Sequence, residues 1–392
     1  VSTLQSDPEV FVADVRRVAQ EVAALHAGDV DANARFPHEA VDALREIGAL
    51  AAYVPTEYGG AGLGLPEMAS ACYHLGRSCA ATAMIFAMHQ LQIANIVRHV
   101  DAADAWHLDY LSRVSAEQRL VASCTTELGT GGDMGRSIAA VQPGPGGEAS
   151  FEKQTPTMSY SAYADDILMS LRRAPDAEES DQVMVLVSRD QYTLEPTGVW
   201  DTLGMRGTCS PGVIVRGHFA PEQILAQPFA TMMSETIVPI SHIMWANLWL
   251  GLGTEAFERG RTFVRAAARR SPGAPVPAAR KLSEVLLDLR LVRAEIESAG
   301  RDFASWDASE DRAELRTFTA GLRFNALKLA VSERVPEICL ATLSLIGVMA
   351  YKNDSPFAIG RLLRDALSAQ VMIANERIHT TNAGLIPLAK EG

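Results

Sequence analysis

Cys124-Thr125-Thr126-Glu127-Leu128-Gly129-Thr130-Gly131-Gly132-Asp133 is the stretch on which the reading of this chain turns. Its glycines invite a nucleotide-binding interpretation, but the third glycine of a dinucleotide fingerprint is missing. The segment after it, at Ile138, reads as a strand and not as a helix. The Lys-Ser/Thr of a phosphate-binding P-loop is absent as well. What remains from the residues alone is a strand ending in a glycine-rich turn, placed where the pattern of the chain changes.

Before that point the sequence is helical. Val10 to Leu25 repeats apolar residues at helical spacing, and Pro37-His38-Glu39 opens a second helix that runs to Ile47 and stops at Gly48. A glycine-rich turn over Glu57 to Gly62 leads to helices between Pro66 and about Ser112. From Leu120 to about Leu225 short β-branched runs take over: Leu120–Ser123, Asp166–Met169, Gln182–Val187 and Val213–Val215. Gly144–Gly147 and Pro175–Asp181 read as hairpin loops between strands. Such strands at close spacing predict a small antiparallel barrel or sandwich. After Pro228 long helical segments return (Thr236–Arg270, Ala278–Ser305, Ala313–Ile346, Phe357–Ala383), which predicts a four-helix bundle. The expected fold class is therefore α+β and multidomain: residues 1–119 helical, 120–228 strands, 229–392 a helical bundle. No internal repeat is visible.

Composition narrows the function. The 392 residues are 48% hydrophobic and 21% charged, ordinary for a globular protein. A net charge of −12 and only isolated Arg pairs, such as Arg269-Arg270, argue against nucleic acid as a partner. The five cysteines have no metal-ligand spacing, so reduced thiols and no metal site are expected. Val1–Val10 lacks a basic, then apolar, leader pattern, and Ile237–Leu252 is short for a membrane span; a cytoplasmic protein without membrane contact is the expectation.

Read with its neighbours, Thr125-Thr126-Glu127 followed by Gly131-Gly132-Asp133 resembles the flavin-facing loop of acyl-CoA dehydrogenases, in which a strand runs into T-E-x-x-x-G-S-D. Further stretches resemble that family in the same order. They are Val54-Pro55-Thr56-Glu57-Tyr58-Gly59-Gly60, Tyr163-Ala164-Asp165, Leu203-Gly204-Met205-Arg206-Gly207-Thr208, Pro221-Glu222-Gln223-Ile224-Leu225 and Arg361-Leu362-Leu363-Arg364-Asp365-Ala366. The resemblance implies an FAD-dependent oxidoreductase. Thr126 and Glu127 would flank the isoalloxazine, Gly131 and Gly132 would form the loop, and Ser159 would be a further contact. Neutral donors of this kind stabilise the charge that develops on flavin reduction. Arg269, in Arg269-Arg270-Ser271-Pro272-Gly273, matches the arginine that grips the FAD pyrophosphate of a neighbouring subunit, and Gly347 is what survives of a glycine pair.

The departures bear on the reaction. A family dehydrogenase takes the α-proton of an acyl thioester, on coenzyme A or a carrier protein, with a desolvated carboxylate while hydride leaves the β-carbon for the flavin. Aligned without gaps from Arg364-Asp365-Ala366, the position of that carboxylate holds Ile373; the alternative position, on the first helix of the bundle, holds Ile243 followed by Met244. The serine of G-S-D is Gly132 and the tryptophan that shields the flavin is Thr157. Glu376 and His242 are the candidates for a relocated base, with Asn375 and Arg377 nearby. The resemblance thus implies an acyl-thioester dehydrogenase, working with an electron-transfer flavoprotein. The alternatives are a monooxygenase of the same fold fed by a flavin reductase, or a silent partner subunit. It also implies a homotetramer or homodimer.

Overall fold

The computed structural model describes residues 6–270, Pro272 and residues 276–389. Its first part is helical: α1 (Pro8–Val18), α2 (Ala24–Ala32), α3 (His38–Glu46), α4 (Leu65–Ser78), α5 (Ala80–His99) and α6 (Ala105–Glu117). Asp7 caps α1 by accepting from the amides of Glu9 and Val10, and Gly48 follows α3 in the left-handed conformation its missing Cβ allows. α5 is apolar and long enough to cross a membrane, and it lies inside the molecule as a core helix.

Two small sheets follow. One has the order β1 (Val121–Cys124), β4 (Asp166–Arg172), β5 (Gln182–Ser188); the other has β2 (Gln142–Pro143), β3 (Ala149–Thr155), β7 (Val213–Phe219), β6 (Tyr192–Pro196). The two expected hairpin loops do connect β2 to β3 and β4 to β5. Two expectations need correction. The sheets are not wholly antiparallel, because β1 and β4 run parallel with Val121 opposite Asp166. No strand begins at Ile138, since the amides of Ile138 and Ala139 donate to the Glu127 carboxylate in place of a ladder partner.

The last part holds α7 (Phe229–Met232), α8 (Val238–Arg270), α9 (Ala278–Asp307), α10 (Phe318–Ile346), α11 (Val348–Tyr351), α12 (Gly360–Val371) and α13 (Asn375–Leu385). The segment expected as one helix over 357–383 is broken after Val371, and Ile373 sits at φ 51°. Neighbouring faces of a continuous helix therefore do not relate Ile373 to Glu376.

Buried polar links join the three parts. Asp166 is fully buried and accepts from Tyr110 Oη (2.7 Å) and from Arg119 Nε (2.6 Å) and Nη2 (2.7 Å). Helices α4 and α8 approach closely because Gly76 faces the Leu248 carbonyl and Gly251 faces that of Tyr73. The Leu203–Thr208 turn is a three-way joint. Met205 N donates to Asp365 Oδ1 (2.7 Å), Arg206 Nε to Asp31 O (2.8 Å), and Arg364 Nη1 to both Leu203 O (2.9 Å) and Asp31 Oδ1 (2.8 Å). A Cβ on Gly204 would collide with the Arg364 carbonyl. Gly204→Ala is therefore expected to cost about 1–3 kcal/mol, read as a lower urea midpoint with an unchanged slope.

Candidate functional site

β1 carries the chain to the junction of the sheets and the bundle. Beyond its end, the hydroxyls of Thr126 and Thr155 lie 2.7 Å apart, and both reach the Thr157 carbonyl, at 3.0 and 2.9 Å. Ser159 accepts from the buried Ser210 hydroxyl at 3.0 Å, and Ser210 also lies 2.9 Å from the Thr208 hydroxyl. The result is a row of neutral hydroxyls beside the strand ends, with Thr126 and Ser159 partly exposed.

Glu127 is placed differently from Thr126. Its carboxylate is buried and turned into its own loop, accepting from Ser137 Oγ (2.8 Å), Ile138 N (3.1 Å) and Ala139 N (2.6 Å). Lys153 Nζ stands 3.7 Å away and is also fully buried. Burial holds the Lys153 ammonium below the usual lysine range, while Cys124 and Glu127 pull it back up. The side chain of Glu127 thus fixes the loop on which Gly129, Gly131 and Gly132 stand at φ 96°, 64° and 82°. A serine at Gly132 would be strained in that conformation, which explains the departure from G-S-D in backbone terms.

Opposite the loop lies the break between α12 and α13. Arg377, in the first turn of α13, donates to the Gly131 carbonyl, and its guanidinium faces the Cα of both Gly131 and Gly132. The break is held from below by Lys328, which is completely buried in α10. Its Nζ donates to the Ile373 carbonyl (2.6 Å) and to Asn375 Oδ1, which also accepts from Ser332 at 3.2 Å. Burial lowers the Lys328 pKa to about 8, and Glu333 works against that shift. Lys328 escaped the reading of the sequence. Its signal was a lone cation within the apolar run Ala326-Leu327-Lys328-Leu329-Ala330-Val331.

The remaining residues singled out in the sequence lie apart. His242 is in the bundle core, 2% exposed, with Nδ1–H donating to the Phe324 carbonyl at 3.0 Å. Burial lowers its pKa to about 4, with a further push from Lys328, so its ring is neutral near pH 7. Ile243 and Met244 are buried beside it. Glu376 is exposed in the first turn of α13. Arg269 is exposed in the last turn of α8; Ser271 and Gly273 of its motif lie outside the described residues. Gly347, at φ 77°, joins α10 to α11 with no atom near the place of a Cβ. The structure thus gathers Gly131, Gly132, Arg377, Asn375 and Ile373 around one junction, with Thr126 at the start of the same loop. Among the described residues the buried carboxylate at that junction, Glu127, is held by its own loop, and Glu333 and Glu376 are exposed.

Residues 5–130 match the family described as acyl-CoA dehydrogenase, N-terminal domain. The chain is 22% identical to cyclohex-1-ene-1-carbonyl-CoA dehydrogenase of Syntrophus aciditrophicus, over 96% of this chain and 89% of that one. It is 28% identical to L-evernosamine nitrososynthase of a Micromonospora strain, over 88% and 82% respectively. Among solved structures, FMN-bound TdsC of Paenibacillus sp. A11-2, a dibenzothiophene monooxygenase, superposes with a TM-score of 0.82 at 18% identity, covering 96% of this chain and 97% of that one. The hydroxyl row and the glycine loop are neutral groups chemically compatible with a flavin ring. The match over residues 5–130 and the shared fold make this chain an enzyme with the acyl-CoA dehydrogenase fold, similar to flavoenzymes of that family.

Proposed function

We propose that the protein is a monooxygenase that uses reduced flavin, not an acyl-thioester dehydrogenase. The observation that carries this reading is the α12–α13 break. At the position where a dehydrogenase needs its base, the chain presents Ile373, and the polar groups around it are the Lys328 ammonium, the Asn375 amide, the Ser332 hydroxyl and the exposed carboxylate of Glu333, 3.3 Å from Asn375 Nδ2. Lys328 is spent on the Ile373 carbonyl and Asn375, and Glu333 is exposed, so neither is a desolvated base free to meet a thioester α-proton. The nitrososynthase and monooxygenase among the similar proteins support the same reading.

A bound reduced flavin would supply the electrons and the centre at which oxygen is activated. Thr126 and Ser159 would donate to its ring, Gly131 and Gly132 would let backbone approach it, and Glu127 would act through the loop. Lys328 would hold the break so that Ile373 and Arg377 close the cleft against water. We assign the cofactor as FAD, with the exposed fork of Arg269 offered to the diphosphate of a neighbouring subunit's cofactor and Gly347 giving backbone access beside it. Flavin released by heat and separated by chromatography distinguishes FAD from FMN.

The decisive test has an anaerobic arm and an arm in air. Without oxygen, a panel of acyl-CoA thioesters is expected to leave the oxidised flavin spectrum unchanged; in air, oxygen uptake above the reductase-only background is expected once a flavin reductase and a reduced nicotinamide supply reduced flavin. Bleaching by any thioester would overturn the proposal. Glu376→Gln is expected to change oxygen-dependent turnover by less than about threefold, the range for an exposed residue outside the chemistry. A drop of about a hundredfold would restore Glu376 as an acid–base residue.

A further inference from the structure

On the far side of α12 from the break, the start of that helix meets α1, α4 and α8 around a cavity of about 220 Å³. Arg16, Arg77, Arg259 and Arg361 line it, with His74 and one carboxylate, Glu255. A chain with a net charge of −12 thus gathers four guanidinium groups against one acid. Three of them are fixed from behind, and Arg361 also stands 3.9 Å from the buried Asp365. Arg361 Nη2 donates to the Ser78 carbonyl at 3.1 Å, Arg259 bonds the Ala358 carbonyl and Glu255, and Arg77 Nη2 lies 3.5 Å from Glu255. Each guanidinium carries five N–H donors, and these contacts use one or two of them. Arg77 Nε is buried without a partner. His74 is pushed below its usual pKa by burial and then by Arg16 and Arg77, so it adds no charge near pH 7.

We infer that this cavity binds the diphosphate of a nucleoside diphosphate. Planar forks from several arginines suit phosphate oxygens, whereas a single carboxylate ligand would satisfy only one. Arg16, Gln20 and His74 also line an open groove of about 650 Å³ between α1 and α4. Its walls include Glu9, Glu21 and Val12, which suit the uncharged remainder of such a molecule and not more phosphate. The site is separate from the candidate flavin junction: Arg361 and Val371 stand at opposite ends of α12, roughly 15 Å apart at helical rise, and the break lies beyond Val371.

The test is titration calorimetry of the flavin-loaded protein at low ionic strength with ADP, pyrophosphate and adenosine, with released flavin followed by absorbance. ADP and pyrophosphate are expected to bind, adenosine not to, and the flavin to stay in place. Arg77→Gln should weaken ADP by about tenfold or more, as loss of a charged hydrogen bond implies. Arg16→Gln, on the exposed face of α1, should weaken it by about threefold and covers the case in which the Arg77 variant does not fold. ADP binding no tighter than adenosine, or unchanged in a folded variant, overturns the inference. So does release of flavin in step with ADP binding, which would assign the phosphate site to the cofactor.

Discussion

Acidification to about pH 4.5 is expected to remove roughly 5 kcal/mol of stability and to unfold the protein cooperatively. Three histidines carry the effect. His89, His99 and His242 are buried, and burial is the largest cause holding each near a pKa of about 4 instead of 6.5. Above pH 6.5 neither the folded nor the unfolded chain protonates them, and the stability is intact. Between 6.5 and 4 the unfolded chain takes protons that the fold refuses, so stability falls as the pH falls. At about pH 4.5 each histidine accounts for about 2–3 kcal/mol, about 7 kcal/mol for the three. Asp365 works the other way. Its burial raises its pKa to about 6, so the fold gains a proton first and recovers about 2 kcal/mol. The net loss compares with the whole stability of an ordinary domain. Urea midpoints measured between pH 7 and 5 should fall steadily, and a flat profile would refute the account. His89→Gln should flatten the profile by nearly half, since one of three equal contributions is removed while the opposing effect of Asp365 stays.

Glu127→Ala should be the most damaging single change near the candidate site. It leaves the Ile138 and Ala139 amides and the Ser137 hydroxyl without their acceptor, and Lys153 without its nearest carboxylate. Stripping a buried charge and its donors in this way costs about 3–5 kcal/mol. Glu127→Gln keeps the shape but sets an NH₂ group against one of those donors, so a smaller loss is expected. Because the carboxylate holds the Gly129–Gly132 loop, flavin retained through purification should fall about tenfold in the alanine variant and less in the glutamine one. The ratio of flavin to protein absorbance measures it. Full flavin content in a folded Glu127→Ala protein would show that the loop does not hold the cofactor.

The helix–strand–helix order was legible because it rests on periodicity and turn residues, which are local. β4 and β5 could be read from runs such as Gln182–Val187, whereas β3 and β6 carry no such run: Glu152 and Gln154 interrupt one, and Glu195 with Pro196 the other. The parallel pairing of β1 with β4 was not legible, since no local signal sets which strands meet. At the site, the hydroxyls and glycines were visible as residue types in order. The inward turn of Glu127 was not, because it depends on donors ten to twelve residues further on. The break after Val371 carries no Gly or Pro to announce it. It is imposed from outside the segment, by Lys328 reaching the Ile373 carbonyl.

The parallel pairing also sets an order of events during synthesis. Val121 emerges directly after α6, but its partner Asp166 follows 45 residues later. At about 5–20 residues per second, β1 waits roughly 2–9 s for β4. In that interval its main contact is with the finished helices, where Val121 N donates to His89 Nδ1 at 3.0 Å. His89 in turn lies 2.7 Å from the Leu50 carbonyl through Nε2. The N-terminal helices therefore serve as a template on which the first strand is parked before its sheet exists. A fragment beginning at residue 120 lacks that template, and is left with an unpaired strand edge prone to aggregation.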